Sequence, residues 1–241
     1  MTPSSPERSR GPLNAAAIAA CGVALADRDG LEAVSMRHVA DSLGVSAMAL
    51  YRHVDNRETL LLAMASEAGR DFVLLSPSPA SWQEMLRHLA DALWEAFVEH
   101  PWLLQIVLGP SRLLDMAATA DLEFLLQTLS TAGLSDEESF DCVLSVPAIV
   151  IGTSSLALAA NPGPGRHRPT RPNAVVPLDA DDAAAPDSLA ARLRGRGITY
   201  PVSRKSLDFA VDSFLRGIED RIVKNARMQQ GKHSGLEKEQ Q

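Results

Sequence analysis

The sequence predicts an all-α protein in two domains, an N-terminal three-helix helix-turn-helix domain and a larger C-terminal helical domain. Three observations carry this. Apolar residues recur at three- and four-residue spacing along most of the 241 residues, the period that gives a helix one buried stripe. Small polar residues with capping chemistry precede these stripes at Ser35, Ser46, Asn56, Ser81 and Ser203. A Ser-Pro-Ser-Pro run at 76–79 breaks the pattern once and marks the domain boundary, since proline lacks an N–H and restricts the residue before it.

Residues 1–11 read as a disordered arm, and 12–75 as the first domain. Pro12 suits a helix start, and Leu13, Ala17, Ala20, Cys21, Ala24 and Leu25 give a stripe over 12–27, with Gly30 ending the segment. The informative stretch is 34–56, VSMRHVADSLGVSAMALYRHVDN. Val39 with Leu43, and Leu50 with Val54, have i,i+4 spacing, so two short helices each bury one side. Gly44 stands where the chain must reverse, and a residue without Cβ takes positive φ there without strain. Small Ala40 lets the helices approach. The second helix, 46–53, offers small or polar residues outward, and Arg37, His38, Arg52, His53 and Arg57 flank it with cationic or potentially cationic groups. That pattern suits a helix in the DNA major groove with phosphates on either side. The competing reading is an ordinary helical hairpin in a bundle. A fourth helix follows, capped by Asn56, with Leu60, Leu61, Met64 and Ala68 inward, reaching about Leu74.

The runs Val34–Ala40, Leu43-Gly44-Val45 and Leu50–Val54, with Leu-Tyr-Arg-His-Val-x-Asn-Arg-x-x-Leu-Leu over 50–61, resemble the DNA-binding domain of the tetracycline-repressor (TetR) family. The resemblance covers 12–64. Beyond that it rests on helical layout and on His100-Pro101-Trp102. It implies a homodimeric transcription factor, usually a repressor, whose DNA affinity falls when a small molecule binds the larger domain. Carried onto this chain, it implies DNA contacts from Arg37, Ser46, Ala47, Met48, Ala49, Tyr51, Arg52, His53 and Arg57. Ala47, Met48 and Ala49 supply methyl and thioether groups but no bidentate donor, so direct base readout is thin and DNA shape carries more of the specificity.

The second domain is expected over 80–227. Ser81-x-x-Glu84 is a capping-box pattern and opens a helix to about Glu99, with Met85, Leu89, Ala92, Leu93, Ala96 and Phe97 inward. A short apolar helix at 102–108 and a longer one at 113–132 follow. Ser135-x-x-Glu138 opens the most apolar stretch, in which 142–160 carries no charge. A membrane span has this length, but Pro147, Gly152 and a Thr-Ser-Ser run favour half of a dimer interface instead. Leu144, Ala148, Ile151 and Ser155 are its expected face, joined by Leu207, Val211, Phe214 and Ile218 of the last helix. Residues 161–186 hold six prolines and an Asp-rich end and read as a flexible loop. A short helix at 188–196 precedes the last helix, and 228–241 reads as a disordered tail. Met85, Trp94, Phe97, Trp102, Met116, Phe124, Cys142 and Thr153 are the ligand-site candidates, chosen from inward faces. His88 and His100 are further candidates for facing the same cavity.

Net charge is −7, and the first 60 residues hold six Arg against seven acidic residues. A general nucleic-acid binder has a basic surplus, so DNA binding here rests on a local patch and is salt-sensitive. Two distant cysteines, Cys21 and Cys142, make neither a disulfide framework nor a zinc site. Neither a nucleophile elbow nor a phosphate loop is present, so an enzyme is not expected, nor a cofactor or metal. Without an apolar signal segment a cytoplasmic protein is expected. The expected partners are an operator duplex, a small apolar or amphipathic effector and a second copy, with no membrane. A rival reading from another class is a helical ligand-binding or interaction module whose head does not bind DNA.

Overall fold

Asn14 opens the first helix: its Oδ1 accepts the Ala17 N–H at 2.8 Å, and α1 runs over Ala15–Asp29. This computed structural model describes residues 13–69, 81–108, 119–160 and 203–239. Side chains at 119–121, 159–160, 229 and 231–239 are outside that description, as are the predicted arm, the 161–186 loop, the 188–196 helix and Met116. Every regular element among the described residues is helical. The chain forms two compact units, residues 1–72 with 105–116 and residues 73–104 with 117–241.

In the first unit, Gly30 at φ 86° ends α1, and a 3-10 turn at Leu31–Ala33, which the periodicity missed, leads into α2 (Met36–Leu43). Ser35 Oγ caps α2 by accepting the His38 N–H at 3.1 Å. Gly44 at φ 68° is left-handed, Val45 N–H reaches Ala40 O at 3.0 Å and Gly44 N–H reaches Asp41 O at 3.1 Å. These two bonds are the Schellman stop, which pairs the last carbonyls of a helix. Next come α3 (Ala47–Leu50), capped by Ser46, and α4 (Arg57–Ala68), capped by Asn56. The regular part of α3 is shorter than the predicted 46–53, because Tyr51, Arg52 and His53 continue as a turn. The core is Ile18, Ala19, Leu25, Val34, Val39, Ala40, Leu50, Val54, Leu60 and Met64. Gly22 lies under Met64, where an added Cβ would stand 2.7 Å from Sδ. Its missing side chain lets α1 and α4 close.

The second unit holds α5 (Trp82–Glu99), α7 (Thr119–Thr131), α8 (Asp136–Ala160) and α9 (Arg204–Glu239). The short α6 (Leu103–Val107) begins in this unit. Helix α8 packs against α5, α7 and α9. Its capping box is complete: Glu138 N–H donates to Ser135 Oγ at 3.2 Å and Ser135 N–H to Glu138 Oε2 at 3.1 Å. At the other predicted box only the Glu84 N–H to Ser81 Oγ bond, 3.2 Å, is described. Helix α9 continues through the predicted tail to Glu239; Gln229, Gln230, Lys232, Leu236, Glu237 and Lys238 are good helix formers there, set against Gly231 and Gly235.

Glu138 is also a joint between helices. It accepts from Asn225 Nδ2 at 2.9 Å and from Arg221 at 2.9 Å, while Asn225 also donates to Gly133 O at 3.2 Å. The Ser135 amide, then Asn225 and Arg221, hold its carboxyl below the ordinary value of 4.5. A carboxyl depressed by folding contributes stability that is present above its ordinary pKa and lost as pH falls through the folded value. Glu138→Gln is therefore expected to lower the thermal midpoint at pH 7 and to leave a smaller further loss between pH 5 and pH 3 than wild type shows. Parallel acid-denaturation curves would refute the joint.

Candidate nucleic-acid interface and ligand-binding body

The helix-turn-helix exposes most of the side chains expected to contact DNA. Met48 is 74% exposed and Tyr51 45%, with Arg37, Ser46, Arg52 and His53 exposed as well. Ala47 and Ala49 are half-buried, so at the start of α3 the reach of the surface comes from Met48. Leu50 and Val54 anchor the far side at 0% and 1% exposure. Arg37 lies 4.0 Å from Asp41 with both side chains in water, a pairing worth little, which leaves its guanidinium available to a phosphate. Ser46 Oγ accepts the Ala49 N–H at 3.3 Å and keeps its O–H to donate. Together these groups provide a phenol and two guanidiniums around a small apolar tip, chemistry that suits phosphates flanking a groove.

Two residues of the cationic set behave otherwise. Arg57 Nε donates to Val34 O at 3.1 Å and its Nη2 to Leu31 O at 3.3 Å. His38 Nδ1 lies 2.9 Å from Ala33 O and the residue is half-buried. Sequence spacing placed both at the flanks of the recognition element. It carried no signal that the 3-10 turn between α1 and α2 exposes carbonyls for them.

In the second unit Met85, Phe97, Trp102 and Cys142 are buried, and Trp94 and Thr153 are half-buried. Thr153 Oγ1 donates to Ile149 O at 2.6 Å. Phe124 departs from the expectation: it is 41% exposed, and α7 turns Leu125 and Leu129 inward instead. A helix apolar on several sides does not reveal its inner face by periodicity. His100 is buried, its ring 5.6 Å from that of Trp102, whereas His88 is exposed. Burial pushes the Cys142 thiol up to about 12, so it is a neutral core group rather than a nucleophile. Ser139 and Ser154, both 1% exposed, have hydroxyls without a hydrogen-bond partner. They stand out because Ser145 and Thr153 on the same helix donate to the carbonyl four residues back. Among the described residues no group of three or more His, Cys, Asp or Glu is placed to hold a metal ion.

The expected dimer face needs correction. Ile151, Leu207, Val211 and Ile218 are buried within the chain's own core, and Phe214 and Ser155 are half-buried. The periodic stripe was real, but the helices of the same chain cover it. The outward face of α8 is a row at every fourth residue: Phe140, Leu144, Ala148, Gly152 and Leu156, all exposed. On α9, Phe209 is 73% exposed, and Gly217, like Gly152, has open space beyond its Cα. Of the predicted face, Leu144 and Ala148 belong to this outward row. By length and composition, the span Asp136–Leu158 is also long and apolar enough to cross a membrane; in the structure its other face packs on α5, α7 and α9.

A capped three-helix head with a helix-turn-helix, followed by a helical body with a long apolar outward row, is the architecture of a two-domain transcriptional regulator. The chain belongs to the TetR family: residues 18–64 match "Bacterial regulatory proteins, tetR family" and residues 76–221 match "Tetracyclin repressor-like, C-terminal domain". It is 33% identical over 159 residues to the HTH-type transcriptional repressor DrrR1 of Streptomyces coeruleorubidus, covering 61% of this chain and 55% of that one. The chain thus spans about half the length of that relative. It is 29% identical over 196 residues to the HTH-type transcriptional repressor Rv1353c of Mycobacterium tuberculosis, covering 79% and 74%. The fold is shared with the TetR family protein ActR of Streptomyces coelicolor, solved in complex with actinorhodin, at TM-score 0.66, 23% identity and coverage of 88% and 99%.

Proposed function

We propose that this protein is a cytoplasmic, ligand-responsive transcriptional repressor. It binds a pseudo-palindromic operator as a homodimer and leaves it when a small apolar or amphipathic effector occupies the body. The observation that carries the reading is the exposure of Arg37, Ser46, Met48, Tyr51, Arg52 and His53 on a helix-turn-helix whose Leu50 and Val54 are packed in the core of the head. Two such heads related by a two-fold axis read half-sites about one DNA turn, ~34–36 Å, apart. The outward row of α8, with Phe209 and Gly217 of α9, is the surface for the second copy. Its small residues at the centre let helices approach closely, and its larger ones at the ends supply apolar area. ActR binds actinorhodin, and a polycyclic, partly polar molecule of that general kind suits this body. The interior is apolar and aromatic, and Ser139 and Ser154 have hydroxyls free to donate. An effector acts by binding the two conformational states with different affinity.

The deciding experiment is selection from random duplex DNA by the purified protein, followed by sequencing. Enrichment of a palindrome supports the reading. No enrichment at low salt, from folded dimer, rejects it. On the enriched duplex, Tyr51→Phe and Arg52→Ala are each expected to weaken binding by about 1–3 kcal/mol, the range for charge-assisted hydrogen bonds, with the dimer and its thermal midpoint unchanged. Unaltered gel-shift affinity in both variants removes them from the contact set.

A further inference from the structure

The 3-10 turn at Leu31–Ala33 joins α1 to α2 and has few backbone partners of its own. Its carbonyls are taken instead by side chains from two other elements. Val34 O accepts from Arg57 Nε, Leu31 O accepts from Arg57 Nη2 as well as from Val34 N–H, and Ala33 O lies against His38 Nδ1. Arg57 is the first residue of α4, directly after its cap Asn56. It therefore reaches back 23 and 26 residues to grip the segment from which α2 starts. The planar guanidinium suits this because it presents two N–H groups in a fixed fork. By charge and position Arg57 would pass for a phosphate contact, but two of its donors point into the head.

We infer that Arg57 is a positioning residue: it locks the first turn of α4 to the start of α2, so that α4 and the helix-turn-helix move as one body. The chain leaves the head through α4. Any displacement of that helix then turns the reading surface instead of being absorbed in the turn between α1 and α2. This inference rests on the proposed function for its consequence, but not for its geometry.

The test compares Arg57→Lys and Arg57→Gln in the full-length protein. Lysine keeps the charge and loses the fork; glutamine loses both. The readouts are affinity for the selected duplex across a salt series, thermal midpoint, and amide hydrogen exchange over 31–39. The expected result is a similar loss in both variants, about tenfold or more for two charge-assisted bonds. The salt slope stays as in wild type, the folded fraction is intact at the assay temperature, and exchange over 31–39 is faster. Lysine restoring affinity, with the slope in the glutamine variant lower by about 0.9, identifies a phosphate contact and overturns the inference. If wild type selects no duplex, the functional reading has failed, and the exchange readout decides alone. Unchanged protection over 31–39 in Arg57→Gln overturns the lock.

Discussion

If the proposed homodimer forms through the outward row of α8, Ala148→Glu is expected to make the protein sediment as a monomer and to lower affinity for the selected duplex at least about a hundredfold, the scale of avidity lost when two linked sites become one. Ala148 stands at the middle of the row Phe140, Leu144, Ala148, Gly152 and Leu156, and it is exposed within the chain. A symmetric interface places this position near its own copy, so the substitution buries two like charges without partners. The chain's own core is on the other side of α8, at Cys142, Val143, Val146 and Val150. The monomer therefore keeps its helical circular dichroism. A variant that sediments as a dimer and binds with wild-type affinity would show that this row is not the interface.

Met64→Ala is expected to cost about 2–5 kcal/mol, the range for emptying a fully packed methionine site. Met64 is 0% exposed and fills the space over Gly22. A domain of this size has little reserve, since whole-domain stabilities are about 5–15 kcal/mol. The loss should localise: amide protection falls through α1 and α4 while α5 and α8 keep theirs. Gly22→Ala tests the same contact from the other side. Its new Cβ would stand 2.7 Å from Met64 Sδ and 2.9 Å from Cγ, and overpacking of this kind costs about 1–3 kcal/mol. The double variant should lose less than the sum of the two, because the smaller residue at 64 makes room for the added methyl. Strict additivity in the thermal midpoints would mean that the two sites do not press on each other.

Local rules determined the helical class, the helix-turn-helix and most helix starts. Capping by Ser35, Ser46 and Asn56, the left-handed stop at Gly44 and the reciprocal box of Ser135 and Glu138 each depend on atoms within five residues. Such short-range chemistry is visible in a linear pattern, and so was the inward anchor of Leu50 and Val54. Other features depended on partners distant in sequence. Spacing showed that Leu207, Val211 and Ile218 form a buried stripe, but not whether the chain's own core or a second copy buries it; the packing of α9 on α8 assigned it to the core. Phe124 was misplaced for the same reason, since composition does not tell which side of an apolar helix meets α8. The charge of Arg57 is evident from its side chain alone, yet only the folded head brings the carbonyls of Leu31 and Val34 within reach of its guanidinium. The sequence by itself determined most of the helices and where they start, because capping bonds close over one turn; the 3-10 turn at Leu31–Ala33 and the ends of α3 and α9 were not legible in it. Which face each element buries, and which charged side chain is tied to backbone carbonyls of the head, only the tertiary structure decided, because those contacts close over tens of residues.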